Sequence, residues 1–267
     1  MGAAVGQDAE RGPGGVPGRQ KQKGQAIPVD SAAAAGRLRS IEVLQDVAED
    51  VLQRMAMSCA WQSYRAGVQI FDRDSASRDV LFVVEGAVQV VNYSATGREI
   101  AYAEVAAGGF LGEISAIDGE PRSATVVAVR PSLIAALPPD RFAELLDRHP
   151  PVARQVMRRL ARIIRTCDER IMDLSTLGAV ARVQREVLRL ARPDPNTPGA
   201  AVIHPIPTQQ QIAGHASTTR ETVARTLSNL QSAGFLVRKG RTVTILDVGR
   251  LARLTEDLTS AGGEGAR

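Results

Sequence analysis

Gly112-Glu113-Ile114-Ser115-Ala116-Ile117-Asp118-Gly119-Glu120-Pro121-Arg122-Ser123-Ala124-Thr125 is too polar for a core strand and too short for a domain. It sets a glycine beside a carboxylate, then a short apolar turn, then arginine next to serine. One loop between strand-like runs is expected to hold all of it. Arginine, a hydroxyl and free backbone N–H groups are the donors that a phosphate takes. A carboxylate repels phosphate but accepts hydrogen bonds from a sugar hydroxyl. The stretch therefore predicts a pocket for a ribose and its phosphate.

On both sides of it, from Trp61 to Leu137, lie short β runs: Gln69–Phe71, Val80–Val84, Ala87–Val91, Ile100–Val105, Ala124–Val129 and Leu133–Leu137. Ser94-Ala95-Thr96-Gly97 fits a hairpin turn between two of them. Short strands at roughly even spacing predict a small antiparallel barrel or roll. Upstream, Ile41, Leu44, Val47, Val51, Leu52 and Met55 recur at helical spacing, so one amphipathic helix is expected over 41–57. Residues 1–37 are rich in Gly, Pro, Ala, Gln and Lys. They carry almost no large apolar side chains and are expected to be a disordered tail.

Downstream, Pro138 and Pro139 precede a switch to helix. A short helix is expected over 140–146, then Pro150 and Pro151, then a long helix to about Leu177. Its apolar positions are Val156, Leu160, Ile163, Cys167, Ile171, Leu174 and Leu177, nearly a 4-3 alternation. Arg154, Arg158, Arg159, Arg162, Arg165 and Arg170 leave little other apolar surface. So narrow a seam suits a coiled coil between two copies of the chain better than packing on its own roll.

Gly178 marks a hinge, Val180–Leu190 another helix, and 192–207 a linker. Thr208 with Gln211 is a capping-box pattern that starts a helix; Thr218 with Glu221 repeats the spacing and starts a second. The second helix turns Val223, Leu227 and Leu230 inward and Arg220, Glu221, Thr222 and Arg225 outward. Two short helices and a tight turn form a helix-turn-helix, whose second helix enters the DNA major groove. Arginine reads guanine, and glutamate accepts from cytosine. Glu221 and Arg225 also stand at i,i+4, so a plain surface pair, or Glu221 as a cap, is the other use of these residues. Phe235–Lys239 and Arg241–Leu246 alternate around Gly240, a wing with Arg238, Lys239 and Arg241 at its tip.

The 267 residues hold 33 Lys and Arg against 29 Asp and Glu, a net charge of +4 that modestly favours an acidic partner such as nucleic acid. No apolar run reaches the ~20 residues of a membrane span, and the N-terminus lacks a signal peptide's apolar stretch. A cytoplasmic protein without membrane contact is expected. Cys59 and Cys167 are too few for a disulfide framework, and His149, His204 and His215 are scattered, so no metal is expected. No nucleophile, base and orienting group can be assembled, so the chain is not expected to be an enzyme.

From about residue 38 to 250 the chain resembles the cyclic AMP receptor protein family of transcription factors, the CRP/FNR family. Gly112-Glu113-Ile114 and Pro121-Arg122-Ser123-Ala124-Thr125 are similar to its phosphate-binding cassette; Arg220-Glu221-Thr222 and Arg225 are similar to its recognition helix. The resemblance implies an α+β chain. Residues 1–37 would be tail, 38–148 an antiparallel jelly-roll that binds cyclic nucleotide, and 149–177 a dimerisation helix. A winged helix-turn-helix would occupy 178–250, followed by a C-terminal tail over 251–267. It implies cyclic AMP as effector, ahead of cyclic GMP. Glu113 would hold the ribose 2′-hydroxyl; Arg122 and Ser123 would hold the phosphate with the backbone around Gly112, and Ile114 completes the motif. The positions matching the family's adenine-contacting Thr-Ser pair are Cys167 and Asp168, so the base would meet different chemistry. Thr208, Gln209, Thr219, Arg220, Glu221, Arg225 and Lys239 would face double-stranded DNA of TGTGA type. The homodimer's further partner would be RNA polymerase. A DNA binder with little dependence on nucleotide is the alternative. A nucleotide-sensing module like a kinase regulatory subunit is a third possibility, which the basic wing disfavours.

Overall fold

The computed structural model describes residues 24–28, 30–93 and 99–263. The chain divides into two compact units, one running to Arg98 and resuming over Ala103–Val156, the other formed by Glu99–Tyr102 and the residues from Met157 on. The expected hairpin turn at Ser94–Gly97 and most of the expected tail, residues 1–23, lie outside the described residues.

The first unit begins with β1 (Gln25–Ala26), α1 (Ser31–Leu38), a 3-10 turn (Glu42–Leu44) and α2 (Glu49–Ser58). The roll follows as β2 (Ala60–Tyr64), β3 (Gln69–Phe71), β4 (Val80–Glu85), β5 (Ala87–Tyr93), β6 (Glu99–Ala106, of which only Ala103–Ala106 count with this unit), β7 (Phe110–Leu111), α3 (Glu113–Asp118), β8 (Thr125–Ala128) and β9 (Ser132–Leu137). Two sheets form it, in the orders β1-β2-β9-β4-β7 and β3-β8-β5-β6. The central pairs β4–β9 and β5–β8 are antiparallel, with Phe82 opposite Ala135 and Val90 opposite Val126. Leu81, Val83, Val88, Val105, Leu111, Val126 and Ile134 fill the space between the sheets.

Val80 to Val84 is buried throughout, which a strand with one wet face would not be. Leu81 and Val83 face the roll, so Phe82 projects from the opposite face, and α1 packs against this strand. That packing corrects the extent of the expected tail. Residues 30–37 lie in α1 and its cap, with Ala34, Ala35 and Leu38 at 1% exposure or less. The Asp30 side chain caps the helix by accepting from the Ala33 N–H. The single helix expected over 41–57 is also corrected. Ile41, Leu44 and Val47 are buried through the 3-10 turn, and the α-helix starts at Glu49 because Ala48 is extended. Sequence reasoning missed β2, whose Trp61 indole N–H donates to the Ala56 carbonyl at 3.0 Å.

The helices α4 (Pro139–Arg148) and α5 (Pro150–Thr176) follow. The second unit takes α5 from Met157 and adds α6 (Ala179–Leu190), β10 (Arg192–Pro193), β11 (Ala201–Ile203), α7 (Gln209–His215), α8 (Arg220–Ser232), β12 (Leu236–Lys239), β13 (Thr242–Ile245) and α9 (Val248–Gly263). The expected linker over 192–207 is therefore partly strand: β11 pairs with β13, Ala201 opposite Ile245, extending the wing into a four-stranded sheet β10-β11-β13-β12. The expected C-terminal tail is likewise corrected. Leu251 is fully buried, and Thr255 on α9 donates to the Gln184 side chain of α6 at 3.2 Å. Val183, Val187, Ile212, Val223, Leu227, Leu230 and Ile245 make this unit's core.

Because Leu38 is fully enclosed, Leu38→Ala is expected to lower stability by about 2–5 kcal/mol. Urea unfolding would measure the loss; a shift below about half a kcal/mol is what a disordered residue would give.

Candidate functional site

The stretch 112–125 is not a simple loop. Gly112 (φ 88°) and Gly119 (φ 76°), both left-handed, bracket the six-residue α3. The first glycine is required twice over. Its φ disfavours any side chain, and a Cβ there would lie 2.5 Å from Arg122 Nη1 and 2.8 Å from the Asp79 carbonyl oxygen.

Arg122 is the largest fully buried side chain of the described residues, at 2% exposure. Its Nη1 donates to the Gly112 carbonyl (3.3 Å); Nη2 donates to the Asp79 carbonyl (2.6 Å) and the Ser77 hydroxyl (3.0 Å). The guanidinium stacks 4.2 Å from the Phe71 ring centre. Burial pulls its pKa down, while the charges of Asp79 and Glu113 raise it. Its Nε and the nearby Ser75 hydroxyl are buried without a hydrogen-bond partner among the described residues. Glu113 is buried at 3% exposure, whereas Ser123 is exposed and Ile114 partly so. The neighbours Arg122 and Ser123 thus point to opposite environments. Ser77, Asp79 and Phe71 were missed in the sequence; the only signal was the polar turn between β3 and β4.

The expected seam of α5 keeps Leu160, Cys167, Ile171 and Leu174, and moves by one residue at Val156 and Ile163, where Met157 and Ile164 stand out instead. Val156 and Leu177 are buried, while Met157, Ile164, Ile171 and Leu174 are 51–61% exposed. Met157, Ile164 and Ile171 repeat every seven residues, and Leu160, Cys167 and Leu174 occupy the other position of the heptad. Cys167 and Asp168 are exposed on this helix in the second unit. Cys59, by contrast, sits where burial, with a smaller push from Asp79, lifts its thiol to about 12.

In the helix-turn-helix, Thr208 caps α7 through a full capping box with Gln211. The second cap is Thr219, not Thr218: its hydroxyl accepts from the Thr222 N–H at 3.2 Å, and Thr218 is buried. Arg220, Glu221 and Arg225 are exposed on the first turns of α8, Gln209 is half-buried at the start of α7, and Lys239 is exposed on the wing. Hydrogen bonds from its own backbone N–H and from the Thr219 hydroxyl hold the Glu221 carboxyl below its ordinary range. Behind this face, unnoticed in the sequence, Glu186 of α6 meets His215 of α7 at 2.8 Å. Burial pushes the Glu186 carboxyl up, but the hydrogen bond and charge of His215, with Arg170 and Arg189, outweigh it and lower the pKa. Among the described residues, no three His, Cys, Asp or Glu side chains group as metal ligands, and no helix is long and apolar enough to cross a membrane.

The close approach at Gly112 and the buried Glu186 each have a measurable consequence. Gly112→Ala is expected to cost about 1–3 kcal/mol of stability, from the forced φ and displacement of the Arg122 fork, read by urea unfolding; an unchanged midpoint would refute the close approach. The lowered Glu186 pKa stabilises the fold above the unfolded carboxyl value of about 4.3, and that stability drains as pH falls through the folded value. The stability gap between wild type and Glu186→Gln should therefore be widest near neutrality and narrow on acidification, as urea titrations over a pH series would record.

Residues 61–149 match the family model of a cyclic nucleotide-binding domain, and 181–254 that of a Crp-like helix-turn-helix domain. The CRP-like cAMP-activated global transcriptional regulator of Mycobacterium tuberculosis is 24% identical over 213 residues, covering 79% of this chain and 95% of that protein. The cAMP-activated global transcriptional regulator CRP of Salmonella typhimurium is 24% identical over 199 residues, covering 74% and 94%. Among solved structures, FixK2 from Bradyrhizobium japonicum superposes with a TM-score of 0.59 at 23% identity, covering 73% of this chain and 96% of its own. A transcriptional regulator of the CRP/FNR family from Thermus thermophilus gives 0.52 at 25% identity, covering 73% and 98%. With a nucleotide-binding roll and a Crp-like helix-turn-helix on one chain, the protein belongs to the CRP/FNR family of transcriptional regulators.

Proposed function

We propose that the chain is a homodimeric transcription factor that responds to a cyclic nucleotide, cyclic AMP ahead of cyclic GMP, and reads palindromic DNA of TGTGA type. The observation that carries it is Arg122: a buried cation with an unpartnered Nε, beside the buried carboxylate of Glu113 and the unpartnered Ser75 hydroxyl. Donor and acceptor so arranged suit a phosphate joined to a sugar. Glu113 takes the ribose 2′-hydroxyl; Arg122 takes the phosphate, with Ser123 and the Gly112 backbone at its edge and Ile114 behind. Because Arg122 already donates to Gly112, Asp79 and Ser77, the phosphate competes with those acceptors.

The heptad stripe of Met157, Leu160, Ile164, Cys167, Ile171 and Leu174 supports the dimer, since all of it but Leu160 lies bare on a single chain. Each copy reads one half-site through Thr219, Arg220, Glu221 and Arg225; Thr208, Gln209 and Lys239 contact the backbone. The two heads stand about 34 Å apart. RNA polymerase is the further partner and the cytoplasm the compartment. Nucleotide acts by favouring one of two arrangements.

One observation favours a second reading, DNA binding that hardly depends on nucleotide: the Arg122 fork is already occupied by protein acceptors. Gel shifts on a TGTGA-type palindrome with and without cyclic AMP separate the two. Arg122→Ala is expected to abolish the nucleotide response while leaving basal DNA binding, and Arg225→Ala to weaken DNA binding by about 1–3 kcal/mol at its base. Equal effects of the two substitutions on nucleotide binding would refute the assignment.

A further inference from the structure

α6 is tied at two points. Near its start, Arg182 donates to the Leu177 carbonyl just beyond α5 (2.7 Å) and to the carbonyls of Ala216 (2.9 Å) and Ser217 (3.2 Å) in the turn between α7 and α8. Ser217 turns there with a left-handed φ of 48°. Two turns along α6, Arg189 meets Asp173 of α5 at 2.6 Å, with Glu169 at 3.5 Å. On its other side, Arg189 lies 3.8 Å from Glu186, which holds His215 at the end of α7 at 2.8 Å. Asp173, Arg189, Glu186 and His215 thus form a line of polar contacts from the long helix to the first helix of the reading head. Glu186 and Asp173 are exposed by only 3% and 9%, so loss of one partner strands a shielded charge.

Two anchors do what one cannot. Arg182 alone is a pivot, about which the helix-turn-helix is free to rotate. A second anchor about 10 Å further along the helix removes that freedom, seven residues at about 1.5 Å each. The apolar core of Val183, Val187, Ile212 and Val223 holds α6, α7 and α8 together, but α5 contributes no described residue to that cluster. Directional polar contacts are what tie α5 to it.

We propose that Asp173, Arg189, Glu186 and His215 are positioning residues that fix the angle of the helix-turn-helix against α5 and so set its DNA affinity. This rests on the DNA-binding part of the function above and is independent of which ligand acts in the roll.

The test uses the full chain, fluorescence anisotropy on labelled palindromic DNA with and without millimolar cyclic AMP, and hydrogen exchange of α7. Arg189→Gln is expected to cut DNA affinity about tenfold and to speed amide exchange over Gln209–His215, with helix content unchanged. Arg189→Lys, which keeps the charge and loses the fork, is expected to recover about half of the loss on a logarithmic scale. Wild-type affinity in Arg189→Gln, or a loss that lysine does not recover, overturns the proposal. If the wild type binds the DNA equally with and without nucleotide, the switch fails while the Arg189 comparison still decides the relay. If the wild type binds no DNA, the DNA reading fails, and unchanged α7 exchange in Arg189→Gln overturns the relay by itself.

Discussion

A guanidinium shut inside a β-roll demands acceptors, because a charge stripped of water costs several kcal/mol unless it is paired and hydrogen-bonded. Much of the polar structure in the first unit answers that demand. The turn between β3 and β4 supplies the Asp79 carbonyl and the Ser77 hydroxyl, and it is pinned to the same residue by its backbone. The Asp74 N–H donates to the Arg122 carbonyl, and the Arg122 N–H donates to that of Ser75. The Gly112 carbonyl can reach the guanidinium only because no Cβ stands between them. The left-handed turn that brings it there also starts α3. Phe71 adds its ring face at one side. The cassette is thus one packing solution around a cation rather than a string of independent contacts.

The features legible in the sequence are the local ones. Thr208 and Gln211 announce a helix start because the cap and its partner are three residues apart, and Val223, Leu227 and Leu230 show their face by spacing alone. The second cap slipped by one residue because Thr218 and Thr219 offer the same hydroxyl, and only burial of the former decides between them. The roll's longer strands were readable from β-branched runs. The two-residue β1, β7 and β10 were not, since so short a strand exists only through its partner across the sheet. α1 was hidden for a different reason. Ala34 and Ala35 carry no bulk to signal a core, yet small side chains are what allow a helix to approach a strand closely.

The site divides the same way. Glu113 and Arg122 stand out as residue types in a recognisable spacing. Their supports do not, because two of the three acceptors around Arg122 are backbone carbonyls, which any residue provides. The α5 seam moved by one position at Val156 and Ile163 because the chain's apolar residues there serve two purposes. Val156 is buried in the first unit and Leu177 in the second, and together they blur a stripe that Met157, Ile164 and Ile171 define cleanly. The line from Asp173 to His215 had no signal at all, since its members come from three helices spread along the sequence.

The short strand β1 has a bearing on how the protein behaves in concentrated solution. Gln25 and Ala26 lie against Ser63 and Gln62 of β2, which would otherwise be the outer strand of its sheet. An uncovered outer strand offers a row of unpaired N–H and carbonyl groups to any extended chain that drifts past, the usual first step of sheet-to-sheet aggregation. Two residues are enough to cap the middle of so short an edge, and Ile27 continues the cover by donating its N–H to the Trp61 carbonyl at 3.0 Å. The segment ahead of the first helix thereby acts as a built-in guard on the roll's solubility, and a shortened version of the chain that dispenses with it exposes that edge.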